Sequence, residues 1–123
     1  MTLLTIFLAL FFTFASSIKI LGWQKFIFAA QLAFFKKYGL NRVQMLLVGI
    51  VELIAAILLI SSIYISDDIL NGVGSVMIAI TSIGAIYFHL TYDTIKDAIP
   101  ALITLTLASV LIFANSAFLQ LVC

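Results

Sequence analysis

Residues 43–65 read VQMLLVGIVELIAAILLISSIYI, and this stretch decides the fold. Glu52 is its only charged residue. About 20 such residues in a helix cross the roughly 30 Å hydrocarbon core of a bilayer. The stretch therefore predicts a transmembrane helix. Glu52 lies about 14 Å from the start of that helix, at about 1.5 Å per residue, which is close to mid-depth.

Three further apolar runs occupy residues 3–19, 69–92 and 98–122. Of the 123 residues, 65% are hydrophobic and 9% are charged, and the mean hydropathy is +1.33. A chain with so little polar surface is not a soluble domain, a disordered chain or a nucleic-acid binder. We predict an all-α membrane protein, one domain of four transmembrane helices in a bundle, in the bacterial inner membrane or an equivalent bilayer.

The first run resembles a secretory signal, because a small-residue segment at 15–17 looks like a cleavage site. No basic residue precedes the run and three more spans follow, so we expect it to be retained. At the other end of the chain, Asp97 is the expected N-cap of the fourth span, with Pro100 in its first turn.

Residues 21–38 read LGWQKFIFAAQLAFFKKY and differ from the four spans. Glutamines and lysines interrupt the segment too often for a transmembrane helix, and Trp23 and Tyr38 bracket it. Such rings favour the headgroup level of a membrane. We therefore expect an interfacial or re-entrant helix after the first span.

Basic residues gather on one side of the predicted bundle. Five lie in or beside the first connection and one in the third, whereas the second has two aspartates and no Lys or Arg. The positive-inside rule then makes the first and third connections cytoplasmic and puts both termini on the outer side. The basic residues are Lys19, Lys25, Lys36, Lys37, Arg42 and Lys96.

Small and polar residues recur at helical spacing along one face of each span, as in packed membrane helices. The four faces are Thr2, Thr5, Ala9, Thr13, Ser16 and Lys19; Met45, Gly49, Glu52 and Ala56; Gly72, Ser75, Ala79, Ser82, Ile86 and His89; and Ala101, Thr104, Ala108 and Asn115.

Glu52 is the strongest candidate for a functional residue. A charge at mid-depth costs about 2.5–3.5 kcal/mol on insertion scales, so it needs a basic partner or a proton. Lys19 and His89 are the basic candidates in or at the ends of the spans. Glu52 is either an interhelical latch or part of a ligand or proton site. For Lys19 the alternative is snorkelling to the surface, and for His89 it is an interfacial position facing headgroups.

The chain lacks the residues of a self-sufficient redox enzyme. Cys123 is its only cysteine and His89 its only histidine, which excludes an internal disulfide, a redox CxxC pair and bis-histidine haem ligation. We expect no metal site and no covalently bound cofactor. No nucleotide-binding motif is present either, so we expect no enzyme activity from the chain on its own.

Three groups of short motifs, in this order, resemble the DoxX-like family. They are Lys19 with GWQKF at 22–26; YGL at 38–40 with GIVEL at 49–53; and GA at 84–85 with HL at 89–90. The resemblance implies a four-span bundle whose polar centre includes Lys19, Gly49 and Glu52. The family includes a small subunit of a thiosulfate:quinone oxidoreductase, partners of other membrane redox enzymes, and receptor-assembly chaperones.

Two hypotheses on function follow. In the first, the chain is an accessory subunit that binds a quinone or another lipid in the bundle, with Glu52, Lys19 and His89 as polar anchors, and supports a partner redox enzyme. In the second, it is an assembly chaperone or scaffold for membrane proteins. A proton-coupled transporter built as a homo-oligomer and an isomerase with Glu52 as general acid remain open as well.

The predicted orientation is tested by cysteine labelling in a Cys123→Ser background. An impermeant thiol reagent added from outside should modify Asp67→Cys and leave Lys37→Cys unmodified until the membrane is permeabilised, because six basic residues mark the opposite side. The reverse pattern would invert the topology.

Overall fold

The computed structural model describes residues 2–122; Met1 and Cys123, the sole cysteine, lie outside the described residues. The chain is all-helical there, with no strand between residues 2 and 122. Four helices are long and apolar enough to cross a membrane, and they are α1, α3, α4 and α5. The six helices are α1 Thr2–Leu21, α2 Lys25–Lys37, α3 Arg42–Tyr64, α4 Asp68–Tyr92, α5 Ile95–Ala114 and α6 Ser116–Val122.

The four long helices pack in the order α1, α3, α4, α5, and α1 and α5 touch only slightly. Small residues bring the backbones close. A Cβ on Gly74 of α4 would lie 3.1 Å from the Ala55 carbonyl oxygen of α3. Such close approach supplies the packing that holds helices together in lipid. The core consists of Leu8, Ala9, Phe12, Ala55, Ala56, Leu59, Ile78, Ala108 and Leu111.

The faces predicted from helical spacing largely turn toward this core. All four predicted residues of α3, from Met45 to Ala56, are buried. Thr2 and Thr13 of α1 are exceptions, since both are exposed. The Thr13 hydroxyl donates to the Ala9 carbonyl oxygen at 2.6 Å, so its own helix satisfies the polar group on an outward face.

The expected start of the fourth span was wrong. The N-cap is Thr94 and not Asp97, and the helix begins at Ile95. The Asp97 carboxylate instead accepts from the Thr94 backbone N–H at 3.3 Å and from the Thr94 hydroxyl at 3.1 Å. Pro100 therefore lies inside the helix rather than in its first turn. The carbonyl that loses its partner to this proline is that of Lys96, which is exposed.

The fourth apolar run also divides near its end. The α5 helix ends at Ala114, Asn115 follows it, and α6 begins at Ser116. The Asn115 side chain donates to the Asp68 carbonyl oxygen at 2.6 Å and accepts from the Phe118 backbone N–H at 3.1 Å. Asn115 thereby joins the end of α5 to the beginning of α4.

The segment after the first span is helical, as α2. Gln24 caps its start by accepting from the Ile27 backbone N–H at 3.0 Å. Glycines in the left-handed conformation flank the helix, with φ of +67° at Gly22 and +81° at Gly39, and these positions let the chain reverse at both ends. Whether α2 lies at the membrane interface stays a prediction.

The junction of α4 and α6 yields a stability prediction. A Cβ on Gly72 would lie 2.2 Å from the Phe118 ring, whereas one on Gly84 would meet nothing within 4 Å. Gly72→Ala should therefore destabilise the detergent-solubilised protein by about 1–3 kcal/mol in thermal unfolding, and Phe118→Leu should relieve part of that loss. Gly84→Ala is the matched control. An equal effect of both substitutions would contradict the predicted clash.

Candidate functional site

Lys19 and Glu52 form a buried ion pair between α1 and α3. The Lys19 Nζ lies 2.9 Å from Glu52 Oε1, and the side chains are 10% and 7% exposed. The distance is that of an ion pair, but Glu52 Oε1 has no hydrogen-bond partner of good geometry. Lys19 stands in the last turn of α1, where the helix dipole favours a cation. The aliphatic stem of lysine then carries the ammonium group toward mid-depth.

Gly49 makes this contact possible. A Cβ at Gly49 would lie only 2.9 Å from the Lys19 Cβ and 3.1 Å from Ile20 Cγ1, so only glycine lets α1 come this close. One turn further along the same face of α3 stands Glu52. Nearby, Arg42 Nη2 donates to the Ile20 carbonyl oxygen at 2.9 Å and fixes the end of α1.

Two cavities meet at the ion pair. One, of about 480 Å³, lies between α2, α3 and α4. The other, of about 420 Å³, lies where α1 and α5 diverge. Small-molecule sites span about 300–1,000 Å³. Five polar residues border both cavities, and they are Lys19, Gln31, Glu52, Thr81 and His89.

Gln31 presents an unpartnered acceptor at this meeting point. Its Oε1 is buried and has no hydrogen-bond partner among the described residues. Thr81, by comparison, donates its hydroxyl to the Met77 carbonyl oxygen at 2.8 Å. A buried polar atom without a partner is uncommon, because its lost hydration costs about 1–3 kcal/mol.

His89 belongs to a hydrogen-bonded cluster and does not contact Glu52 directly. Its Nδ1 lies 2.9 Å from Tyr38 Oη and 3.0 Å from Asp93 Oδ2. Tyr38 donates its hydroxyl proton to the same carboxylate oxygen at 2.5 Å, so the proton in the histidine contact must come from Nδ1. Lys37 pairs with the other oxygen of Asp93. The neutral ring therefore carries its proton on Nδ1, which leaves Nε2 as an acceptor.

The charge of Asp93 is stabilised by this cluster. Burial by itself would raise the pKa of Asp93, but hydrogen bonds from Lys37, Tyr38 and His89 lower that pKa to about 2. Burial, followed by the hydrogen bond to Asp93 and its negative charge, raises the pKa of Tyr38. A depressed carboxylate pKa contributes stability that is complete above about pH 4 and is lost as the pH falls toward 2.

Aromatic contacts hold α2 against α4 beside the cavity. The Tyr38 ring stacks on Phe88 with centroids 4.9 Å apart. Phe34 meets His89 edge to face at 5.4 Å. The larger cavity therefore has α2 as one wall, and the Tyr38–His89–Asp93 cluster fixes that wall at one end.

A third cleft, of about 320 Å³, opens at the opposite end of the bundle. Its polar groups bond to one another. Asp67 caps α4 by accepting from the Ile69 backbone N–H at 2.9 Å, and Asn71 donates to the Thr5 hydroxyl at 3.0 Å. These groups join helix ends, so the meeting point of the two larger cavities is the better candidate for a site. Within residues 2–122 no three His, Cys, Asp or Glu side chains come close enough to hold a metal ion.

The structure brings three of the predicted residues together, namely Lys19, Gly49 and Glu52. His89 borders the same cavities but takes Tyr38 and Asp93 as partners. Asp93 was not predicted from the sequence. The signal was the spacing from His89, because residues four apart on a helix share a face.

The whole length of the bundle matches a known family. The model described as the DoxX-like family covers residues 3–119. The chain belongs to the DoxX-like family. Neither a curated protein nor a solved structure shows significant similarity to it. Together with the four apolar helices, membership of the DoxX-like family makes the chain an integral protein of a lipid bilayer.

The ion pair of this DoxX-like bundle yields a second stability prediction. Lys19→Met leaves a carboxylate buried without its cation, which typically costs about 3–5 kcal/mol. We expect this loss in thermal unfolding of the detergent-solubilised protein. It should shrink as the pH falls, because the lone carboxylate then takes up a proton.

The control is Lys25→Met, the same change at an exposed lysine of α2, which should stay within about 0.5 kcal/mol of the wild type. The double variant Lys19→Met/Glu52→Leu removes both charges and should recover most of the loss. A double variant no more stable than Lys19→Met would show that the charge left behind is not the cause.

Proposed function

We propose that this DoxX-like protein is a membrane accessory subunit that binds a lipophilic molecule, such as a quinone or another lipid, within its bundle and supports a partner redox enzyme. One observation carries the proposal, namely the two cavities that meet at the buried Lys19–Glu52 pair. If the Lys19–Glu52 pair served only to hold helices together, cavities beside it would bring no benefit.

The chemistry of the larger cavity suits a lipophilic molecule. Its walls are mostly aliphatic and aromatic, with residues such as Leu47, Val51 and Phe88, and its polar lining includes the Lys19–Glu52 pair. Apolar walls with a few polar groups at fixed positions are typical of small-molecule sites. The apolar part of a ligand would lie along α3 and α4, and its polar end would meet Lys19, Gln31 and Glu52.

Access from the bilayer supports the same proposal. Leu47 of α3 is 54% exposed and Ile80 of α4 is 64% exposed, and both border the larger cavity. In a membrane, exposed apolar side chains on the outside of a bundle face lipid or a partner helix. A molecule dissolved in the bilayer would therefore enter sideways between α3 and α4 without crossing the headgroups.

The accessory role rests on the family and on what the site offers. The site groups bind and orient and can take up or release a proton, whereas electron transfer needs a redox centre from a partner enzyme. The DoxX-like family includes a small subunit of a quinone-coupled oxidoreductase, and that member suggests such a partner. We propose that the chain associates with such a partner enzyme. Association of the chain with further copies of itself is a separate proposal.

A scaffold or assembly chaperone is the second candidate. Its support is the direct 2.9 Å contact of Lys19 with Glu52, which by itself joins α1 to α3. Glu52→Gln separates the two functions, because the amide keeps the shape and hydrogen bonding of the side chain without its charge. If Glu52 serves only as a latch, the variant keeps both its stability and its function. If Glu52 anchors a ligand, the variant folds normally and loses the ligand.

Cavity filling tests the proposed function. Gly84 borders the larger cavity, and a Cβ there would meet nothing within 4 Å. Wild-type protein extracted in mild detergent should carry a lipid or quinone that native mass spectrometry identifies. Gly84→Phe should fold and retain about tenfold less of it, because the ring occupies the space of the ligand; this corresponds to about 1.4 kcal/mol.

The matched control is Val73→Phe, a large ring added on the outer face of the same helix, 39% exposed in the wild type and away from the cavities. This variant should retain as much ligand as the wild type. A wild-type protein that carries no lipophilic molecule, or equal retention by Gly84→Phe, would refute ligand binding in the larger cavity.

A further inference from the structure

Building on the proposed function, we infer which chemical class of ligand the site accepts. The geometry points to a lipophile with an uncharged head group that bears a hydroxyl, and away from a lipid with an anionic head group. Two independent observations carry this inference. They are the paired charges that border the larger cavity and the unpartnered acceptor of Gln31.

The ionised groups bordering the cavities are paired in sign. Lys19 lies 2.9 Å from Glu52, so the ammonium is already neutralised by a carboxylate. Lys96 and Asp97 both border the smaller cavity and contribute one charge of each sign there, although no ion pair joins them. In the larger cavity an anionic head group would meet no unpaired cation and would lie close to the Glu52 carboxylate.

The histidine adds no unpaired cation either. His89 borders both cavities, and its Nδ1 lies 3.0 Å from the Asp93 carboxylate. A neutral His89 ring adds no charge, and the single negative charge of Asp93 is already paired with Lys37, which is half-exposed to solvent. Transfer of an unpaired anion into a site of low dielectric is strongly unfavourable, so the paired charges disfavour phosphate, sulfate and carboxylate heads.

The hydrogen-bonding groups of the site are best matched by a ligand that carries both a donor and an acceptor. Gln31 Oε1 is buried beside both cavities and accepts no hydrogen bond, so a ligand donor would satisfy it. The Lys19 ammonium has three N–H donors, and its contact with Glu52 leaves at least two of them for an acceptor on the ligand. A hydroxyl both donates and accepts, so a head group that bears one suits Gln31 as a donor and Lys19 as an acceptor.

Tail-matched probes test this inference on the full chain. The probes are 1-oleoylglycerol and 1-oleoylglycerol 3-phosphate, which share the tail and the glycerol and differ in the phosphate. In equilibrium binding to the wild-type protein in one non-ionic detergent, the uncharged probe should bind at least about tenfold tighter. Gln31→Leu should weaken the uncharged probe by about tenfold, the effect of leaving a ligand hydroxyl without its acceptor.

The control for that variant is Gln120→Leu, the same change at an exposed glutamine of α6, which should leave binding unchanged. Equal or tighter binding of the phosphate probe, or no effect of Gln31→Leu in a folded variant, overturns the head-group inference. The comparison of the two probes on the wild type decides the matter even where Gln31→Leu fails to fold.

Failure of this inference is distinguishable from failure of the proposed function. If neither probe binds while Gly84→Phe still loses the co-purified lipophile, the head-group inference is wrong and ligand binding stands. If neither probe binds and the wild type carries no lipophile, both are wrong.

Discussion

The contact between Lys19 and Glu52 is the constraint around which the bundle is arranged. A carboxylate this deep in a membrane helix requires compensation, and the nearest cation stands one helix away at the end of α1. The lysine reaches the acid only because Gly49 lets the two backbones approach so closely. The pairing of α1 with α3, the most extensive helix contact in the fold, thus follows from the buried Glu52 carboxylate, the flexible Lys19 side chain and the missing side chain of Gly49.

The same pairing explains why space remains around the pair. Once α1 is drawn onto α3, α5 contacts α1 only slightly, and the smaller cavity lies in that divergence. On the other side, α2 folds back beside α3 and α4 and forms a wall of the larger cavity. The cluster of Tyr38, His89 and Asp93 holds that wall in place. The Lys19–Glu52 contact and the two cavities beside it therefore both result from the way these helices pack.

The long helices were predictable because membrane insertion constrains sequence strongly. About 20 apolar residues admit few structures other than a spanning helix, so the bounds of α3 and α4 lie within one residue of those expected. Cap chemistry was less predictable. Thr94 and Asp97 both favour a helix start, and only the reciprocal contact between them decides for Thr94. The break at Asn115 depends on a bond to Asp68, which lies far away in sequence.

Residues of the candidate site could be predicted from the sequence only where their side chains are energetically unfavourable in lipid. Glu52 and Lys19 attract attention because an unpaired charge is unfavourable at their depth. Gln31 and Asp93 carry no such signal, since each stands in or beside a connection where polar residues are ordinary. Their importance arises from tertiary position: Asp93 fixes the histidine ring, and Gln31 brings an unsatisfied acceptor to the ion pair. A balanced pair of charges beside an acceptor without a hydrogen bond is an environment in which a neutral hydroxyl gains more than an ion, and the proposed selectivity of the site rests on that difference.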